Sequence, residues 1–128
     1  MTIIQAYSNN IEVAANEAIP FNNNQTLKGC TVCHNSAASF ELNKAGIYLI
    51  DFSAPAAAAA TVQLFVNGVA QAAAQGTGTS ISFPHTVVVP NNNSRCNPCS
   101  SPVTVQAINT GDTAATFDVV NIVITKIA

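Results

Sequence analysis

Apolar and polar positions alternate along much of the chain, most clearly over residues 40–52. Phe40 and Leu42 flank Glu41. Beyond Asn43-Lys44-Ala45-Gly46, Ile47 and Leu49 fall on one face and Tyr48, Ile50 and Phe52 on the other. Successive side chains of a strand point to opposite faces. The stretch therefore predicts a hairpin, with the Asn-Lys-Ala-Gly group as its connection. Bulk on both faces of residues 47–52 predicts a strand covered on both sides.

The same period recurs elsewhere. Residues 61–66 place Val62, Leu64 and Val66 on one face and Gln63 and Phe65 on the other. Asn67-Gly68 follows, the pair suited to a type I′ turn because both central residues need positive φ. Residues 69–73 are then the returning strand, and residues 75–79 a Gly/Thr loop. Residues 81–83 and 86–89 predict a strand pair, or one strand broken at Pro84. Residues 103–108 predict a strand, residues 109–112 a turn, and residues 117–127 a closing strand apolar on both faces. Near the N-terminus, residues 2–13 predict an extended arm or first edge strand. Residues 14–18 are weakly helical at best, and residues 18–21 a short strand that Pro20 restricts to an edge or a strand start. Asn22-Asn23-Asn24 is a turn cluster, and residues 28–35 a short strand or knuckle-like loop. The alanine run at residues 56–60 is too short to nucleate a stable helix and predicts a compact connection with about one helical turn.

Many short strands with turns at regular spacing, almost no helix and no internal repeat point to an all-β sandwich or jelly roll. At 128 residues the chain is one domain's worth. Charged residues make up only 8% and the net charge is −2. Asn, Thr, Ser and Gln fill the polar positions, which suggests that much surface is buried in an assembly. The basic residues Lys28, Lys44, Arg95 and Lys126 are scattered, so no nucleic-acid footprint is expected. No apolar run approaches a membrane span. The first residues lack the basic and apolar stretches of a secretory signal. The N-x-[ST] sequons at Asn24 and Asn92 are then chance matches.

Candidate chemistry centres on two pairs of equal spacing, Cys30-x-x-Cys33 and Cys96-x-x-Cys99. Four thiolates can enclose a structural Zn²⁺, with His34 as a substitute ligand. Disulfide staples between the two segments are an equal alternative, and reduced thiols a third. Each reading ties an N-terminal segment to the loop ahead of a late strand. Cys30-Thr31-Val32-Cys33-His34 also matches a haem-attachment pattern, but a short match without export is a chance one. No nucleophile–base set is bracketed around His34 or His85. Six carboxylates are spread singly, so no paired acid/base site is signalled. Asp51 stands out as a charge within an apolar strand. Gly76-x-Gly78 lacks the setting and the lysine of a phosphate loop. No enzyme activity and no required cofactor are expected.

Three stretches taken together carry a resemblance. They are Ile19-Pro20-Phe21, residues 34–50 with Gly46-Ile47-Tyr48 at their centre, and residues 62–68 ending in Asn67-Gly68. In order and spacing they resemble the C1q/TNF-like jelly-roll superfamily. The chain is most similar to its small stand-alone phage and prophage members, and to spore-surface C-terminal domains of that type. The resemblance implies a jelly roll over residues 19–128 that assembles as a homotrimer. It places trimer contacts on one sheet, with Tyr48, Phe65, Phe117 and the outward half of residues 119–127 as candidates. Residues 1–18 would then be an arm attaching the trimer to a major capsid protein or another virion component. The implied role is a non-enzymatic structural protein on the virion surface, made in the host cytoplasm: a capsid decoration or short head-fibre protein. The alternative is a receptor- or carbohydrate-binding module on a tail fibre or on a bacterial or spore surface.

Overall fold

The computed structural model describes residues 3–28, 32–89 and 103–128. Among these there is no helix. Eight strands form in chain order: β1 (Ile3–Val13), β2 (Asn23–Lys28), β3 (Val32–Ser36), β4 (Ser39–Leu42), β5 (Gly46–Val66), β6 (Val69–Val89), β7 (Val103–Asn109) and β8 (Ala115–Lys126). All pairings are antiparallel. The hydrogen-bonded order is β2-β1-β8-β5-β7-β4-β3, with β6 along β5.

The 21-residue strands β5 and β6 are the hinge of this arrangement. The first part of β5 pairs with β8, and the part from Val62 to Val66 pairs with β7. Register shifts between Pro55 and Ala60 mark where it changes partner. The result is two layers that share two strands. The first holds β2, β1, β8 and the facing parts of β5 and β6 around residues 46–55 and 80–89. The second holds β3, β4, β7 and the parts around residues 60–66 and 69–78. This is a jelly-roll sandwich, as the sequence pattern predicts.

The core follows from the alternation. Tyr48, Ile50, Phe52 and Ala54 of β5 point inward and are buried, as are Val120, Ile122 and Ile124 of β8, Ile4 and Ala6 of β1, and Val105 and Ala107 of β7. A chain of rings spans the layers: Phe40 lies 5.6 Å from Phe21, Phe21 6.3 Å from Phe52, and Phe52 5.2 Å from Phe83. Tilted and edge contacts of this kind add to the area that the rings bury.

Several expectations need correction. The stretch over residues 40–52 is not a hairpin. β4 pairs with β3 and β7, and β5 with β6, β7 and β8, so residues 43–45 carry the chain from the second layer to the first. Alternation around a polar turn looks the same in either case. Gly46, at φ +149°, makes the crossing, because a backbone conformation of that kind is open to glycine and rarely to other residues. Residues 56–60 and 75–79 are extended strand, not connection and loop. β6 runs through Pro84 unbroken, opposite Asp51. There it pairs with β5 alone, so the missing N–H of Pro84 falls on the unpaired edge. Asn23 and Asn24 belong to β2. The first strand is neither an arm nor an edge. β1 is bonded to β2 on one side and to β8 on the other, with Ile4, Ala6 and Ser8 in the core. Ser8 Oγ donates to the Pro20 carbonyl (2.9 Å) and accepts from the Asn22 N–H (2.7 Å). The boundary at residue 18 therefore does not free an attachment arm.

The turn expectations hold at Asn67-Gly68, with φ of 52° and 78°. Asn67 is pinned to β7: its N–H donates to the Thr104 carbonyl (2.8 Å), and its Oδ1 accepts from the Thr104 N–H (2.9 Å). The turn after β7 is organised by Asn109, which is fully buried. Its Nδ2 donates to the carbonyls of Val13 (3.0 Å), Thr113 (3.1 Å) and Ala14 (3.4 Å), and its Oδ1 accepts from the Gly111 N–H (3.1 Å). One amide thus joins the end of β1 to both flanks of the β7–β8 connection.

Candidate interaction surface

The two layers leave two outward faces of different chemistry. Strand register fixes which residues share each. On the first layer, Ile3 lies opposite Thr125 and Thr125 opposite Leu49. Gln5–Val123–Asp51 and Tyr7–Asn121–Ser53 form the next rows. Across β5, Ile47 faces Val88, and the Ile127 N–H donates to the Ile47 carbonyl (2.8 Å). Among the described residues four large apolar side chains are exposed: Val69 at the hairpin tip, and Val88 (64%), Ile127 (57%) and Val119 (38%) on this face. Ile47, Leu49 and Val123 beside them are half-buried. The polar members are mostly uncharged, and Gln5 Nε2 donates to Asn121 Oδ1 (3.1 Å) across β1 and β8. Asp51 is an exposed carboxylate within this field.

The trimer candidates divide. Tyr48 and Phe117 are each 0% exposed within one chain, so neither side chain reaches a neighbour. Tyr48 fills the core, and its hydroxyl donates to the Lys44 carbonyl (2.8 Å). The parity is the reverse of the expectation: Ile47 and Leu49, not Tyr48, look outward. Phe65 is half-buried and lies on the outer face of the second layer, opposite Ala70 and Gln106.

For the metal candidates, Cys30, Cys96 and Cys99 lie outside the described residues. The backbone of Cys33 pairs with Glu41 in the β3–β4 ladder. His34 stacks on Phe40 with ring centres 4.3 Å apart. Its Nε2 donates to the Ala37 carbonyl (3.0 Å), and its Nδ1 lies 2.9 Å from Asn24 Oδ1. Both ring nitrogens are engaged by the chain itself, and the imidazole fastens the edge of the second layer to β2 of the first. Among the described residues no group of three or more His, Cys, Asp or Glu side chains converges on one point. His85 is partly buried, and desolvation lowers its pKa below 6.5. Its Nε2 lies 3.3 Å from Gln71 Oε1. Sequence reading missed Asn109, Ser8 and the corner that Ile47 and Val88 form with Ile127, although the outward half of residues 119–127 was a candidate. The first two are buried polar residues with no motif, and the corner depends on strand order.

Two antiparallel layers sharing their longest strands define a jelly roll of the C1q/TNF type, and comparison with solved structures agrees. The globular domain of zebrafish complement 1qA aligns with a TM-score of 0.69 at 10% identity, over 100% of this chain and 98% of that one. Rabbit GITRL aligns with a TM-score of 0.63 at 12% identity, over 100% and 95%. At such identities the likeness concerns the fold. The family model of the BclA C-terminal domain matches residues 1–128, and the chain belongs to that family. No curated protein sequence matches the chain significantly.

Proposed function

We propose that this chain is a non-catalytic structural module that self-associates, three copies packing through the outer face of the first layer, and that the trimer decorates the surface of a particle. The observation that carries the reading is the grouping of Val88 and Ile127 with Ile47, Leu49 and Val123 on one face, with Val119 farther along the same face beyond Asn121. Contiguous exposed apolar surface on a soluble domain marks an association site. A charged fraction of 8% leaves little to keep such a face soluble on its own. Three-copy symmetry is the assembly of C1q and TNF-like domains and is consistent with the fold. Within this reading the particle is a bacteriophage virion. Attachment then runs through surface residues of the folded trimer, since β1 is committed to the sheet.

Sedimentation equilibrium tests the assembly. The expected mass is three times the 13.2 kDa of the chain. Val88→Arg and Val123→Arg should yield monomers with unchanged β-sheet circular dichroism, because each places a charge in the contact. A monomeric wild-type chain at tens of micromolar would reject the self-association. Absence of the protein from purified virions would reject the particle assignment alone.

A further inference from the structure

We propose that the outer face of the second layer, centred on Phe65, is a binding platform for a neutral glycan. The platform lies on the layer opposite the apolar face and is complete within one chain. It therefore stands whether or not the chain assembles.

Register sets the layout. Phe65 lies between Ala70 of β6 and Gln106 of β7, and the next row is Gln75–Gln63–Ile108. Thr104 is two residues before Gln106 on the same side of β7. An outward aromatic in a sheet normally earns its place by packing on an aromatic or β-branched cross-strand neighbour. The residues directly opposite Phe65 are neither: Gln106 is polar and Ala70 is small and exposed. The β-branched Thr104 and Ile108 thus flank the ring only diagonally, on the β7 side, and its β6 side has no bulky partner among the described residues.

A second feature lies against the same residue. The β5–β6 register shifts between Gln63 and Phe65, so that Gln63 faces Gln75 whereas Phe65 faces Ala70. The intervening residues 71–74 of β6 form a bulge, a device that re-aims side chains beside functional sites. The amides around the bulge are ordered. Gln63 Nε2 donates to the Gln71 carbonyl (3.0 Å), Gln75 Nε2 to the Ala72 carbonyl (3.2 Å) and Gln71 Nε2 to the Val69 carbonyl (2.9 Å). Further along, the Thr61 and Thr77 hydroxyls are 3.1 Å apart. Groups held in place before a ligand arrives lose little freedom on binding.

The chemistry selects the ligand class. Among the described residues, the two rows through Phe65 and Gln63 hold no charged side chain, and Glu41 stands on β4 opposite Thr104. Among the described residues these rows offer an ionic ligand no counter-charge. Amide and hydroxyl groups around one half-buried, outward-facing ring offer hydrogen bonds to sugar hydroxyls and an apolar surface for the C–H face of a pyranose.

The test is a nuclear magnetic resonance titration of the full chain with chitotetraose, cellotetraose and maltotetraose, with a sulfated oligosaccharide for comparison. At least one neutral probe should shift the amides of Gln63, Phe65, Gln75, Thr104 and Gln106. Phe65→Ala should weaken that binding about tenfold, and Phe65→Tyr should retain it. Gln106→Ala, a milder change, serves if Phe65→Ala fails to fold. No shift with any neutral probe, shifts confined to another face, equal binding of the sulfated probe, or binding indifferent to these substitutions would overturn the proposal.

Discussion

The amide of Asn109 offers the sharpest test of the packing argument. Its side chain is fully buried and makes three bonds of 3.0–3.1 Å, to the carbonyls of Val13 and Thr113 and from the Gly111 N–H. In Asn109→Ala all three are lost, and the Val13 carbonyl is left buried without that donor. A net hydrogen bond contributes about 1 kcal/mol, and an orphaned buried group costs about 1–3 kcal/mol. Two of the three groups lie only partly out of solvent, so the expected loss is about 2–4 kcal/mol in all. For a chain of this size that lowers the melting temperature by roughly 10 °C. Asn109→Asp is the informative companion, since it keeps the shape and removes the donor. At neutral pH its carboxylate faces carbonyl oxygens, and the loss should at least equal that of alanine. As the pH falls, the protonated carboxyl regains an O–H to donate. The folded form of this variant binds protons more tightly than the unfolded chain, so its deficit should shrink on acidification. Urea denaturation at fixed protein concentration, at neutral and mildly acidic pH, measures both variants. A deficit below about 0.5 kcal/mol for both, the range of an ordinary surface change, would refute the reasoning.

Other outcomes follow from the same structure. Gly46→Ala should destabilise by about 2 kcal/mol or more: a Cβ there would collide with the Ala128 carbonyl oxygen and stand 2.8 Å from Lys126 Cε, at a φ of +149°; a melting temperature within about 2 °C of wild type would contradict this. Phe52→Ala should cost about 3–5 kcal/mol, because its ring contacts both Phe21 and Phe83; chemical denaturation reads the loss. For His85, burial lowers the folded pKa below 6.5, so the unfolded chain binds the proton first. Its contribution is whole above that value and is lost as the pH falls through 6.5 and then the folded pKa. His85→Gln should flatten that part of the stability profile, and an unchanged profile would show that the group is silent.

What could be read from the sequence was whatever depends on period and turn chemistry. Residues 47–52, 61–66 and 117–126 are strands because alternation reports burial directly, and Asn67-Gly68 turns because few other pairs tolerate two positive φ values. Strand order was not readable. β4 and β5 look like a hairpin, yet each finds its partners elsewhere, and this inverts the outward side at Tyr48. The alanine run shows the limit of propensity. Residues 56–60 extend because tertiary pairing on both flanks overrides a weak helical preference. The candidate interaction surface was legible in composition, through the low charge, and in part in position, through the outward half of residues 119–127, but the strands that complete it were not. Val88 and Ile127 join Ile47 only once β6 and β8 are known to flank β5.

The place of β1 also bears on how the molecule comes into being. Its longest ladder is with β8, and Gln5 and Asn121, bonded across it, are 116 residues apart. Closing so long a loop is entropically slow to be rewarded, and sheets built from such contacts fold on millisecond-to-second timescales. The strand made first must therefore wait for the strand made last. During synthesis Ile4 and Ala6 have β2 beside them but no floor until Ile122 and Ile124 leave the ribosome. Until β8 joins the sheet the chain is exposed to misassociation, since an open edge of one copy can accept the β8 of another.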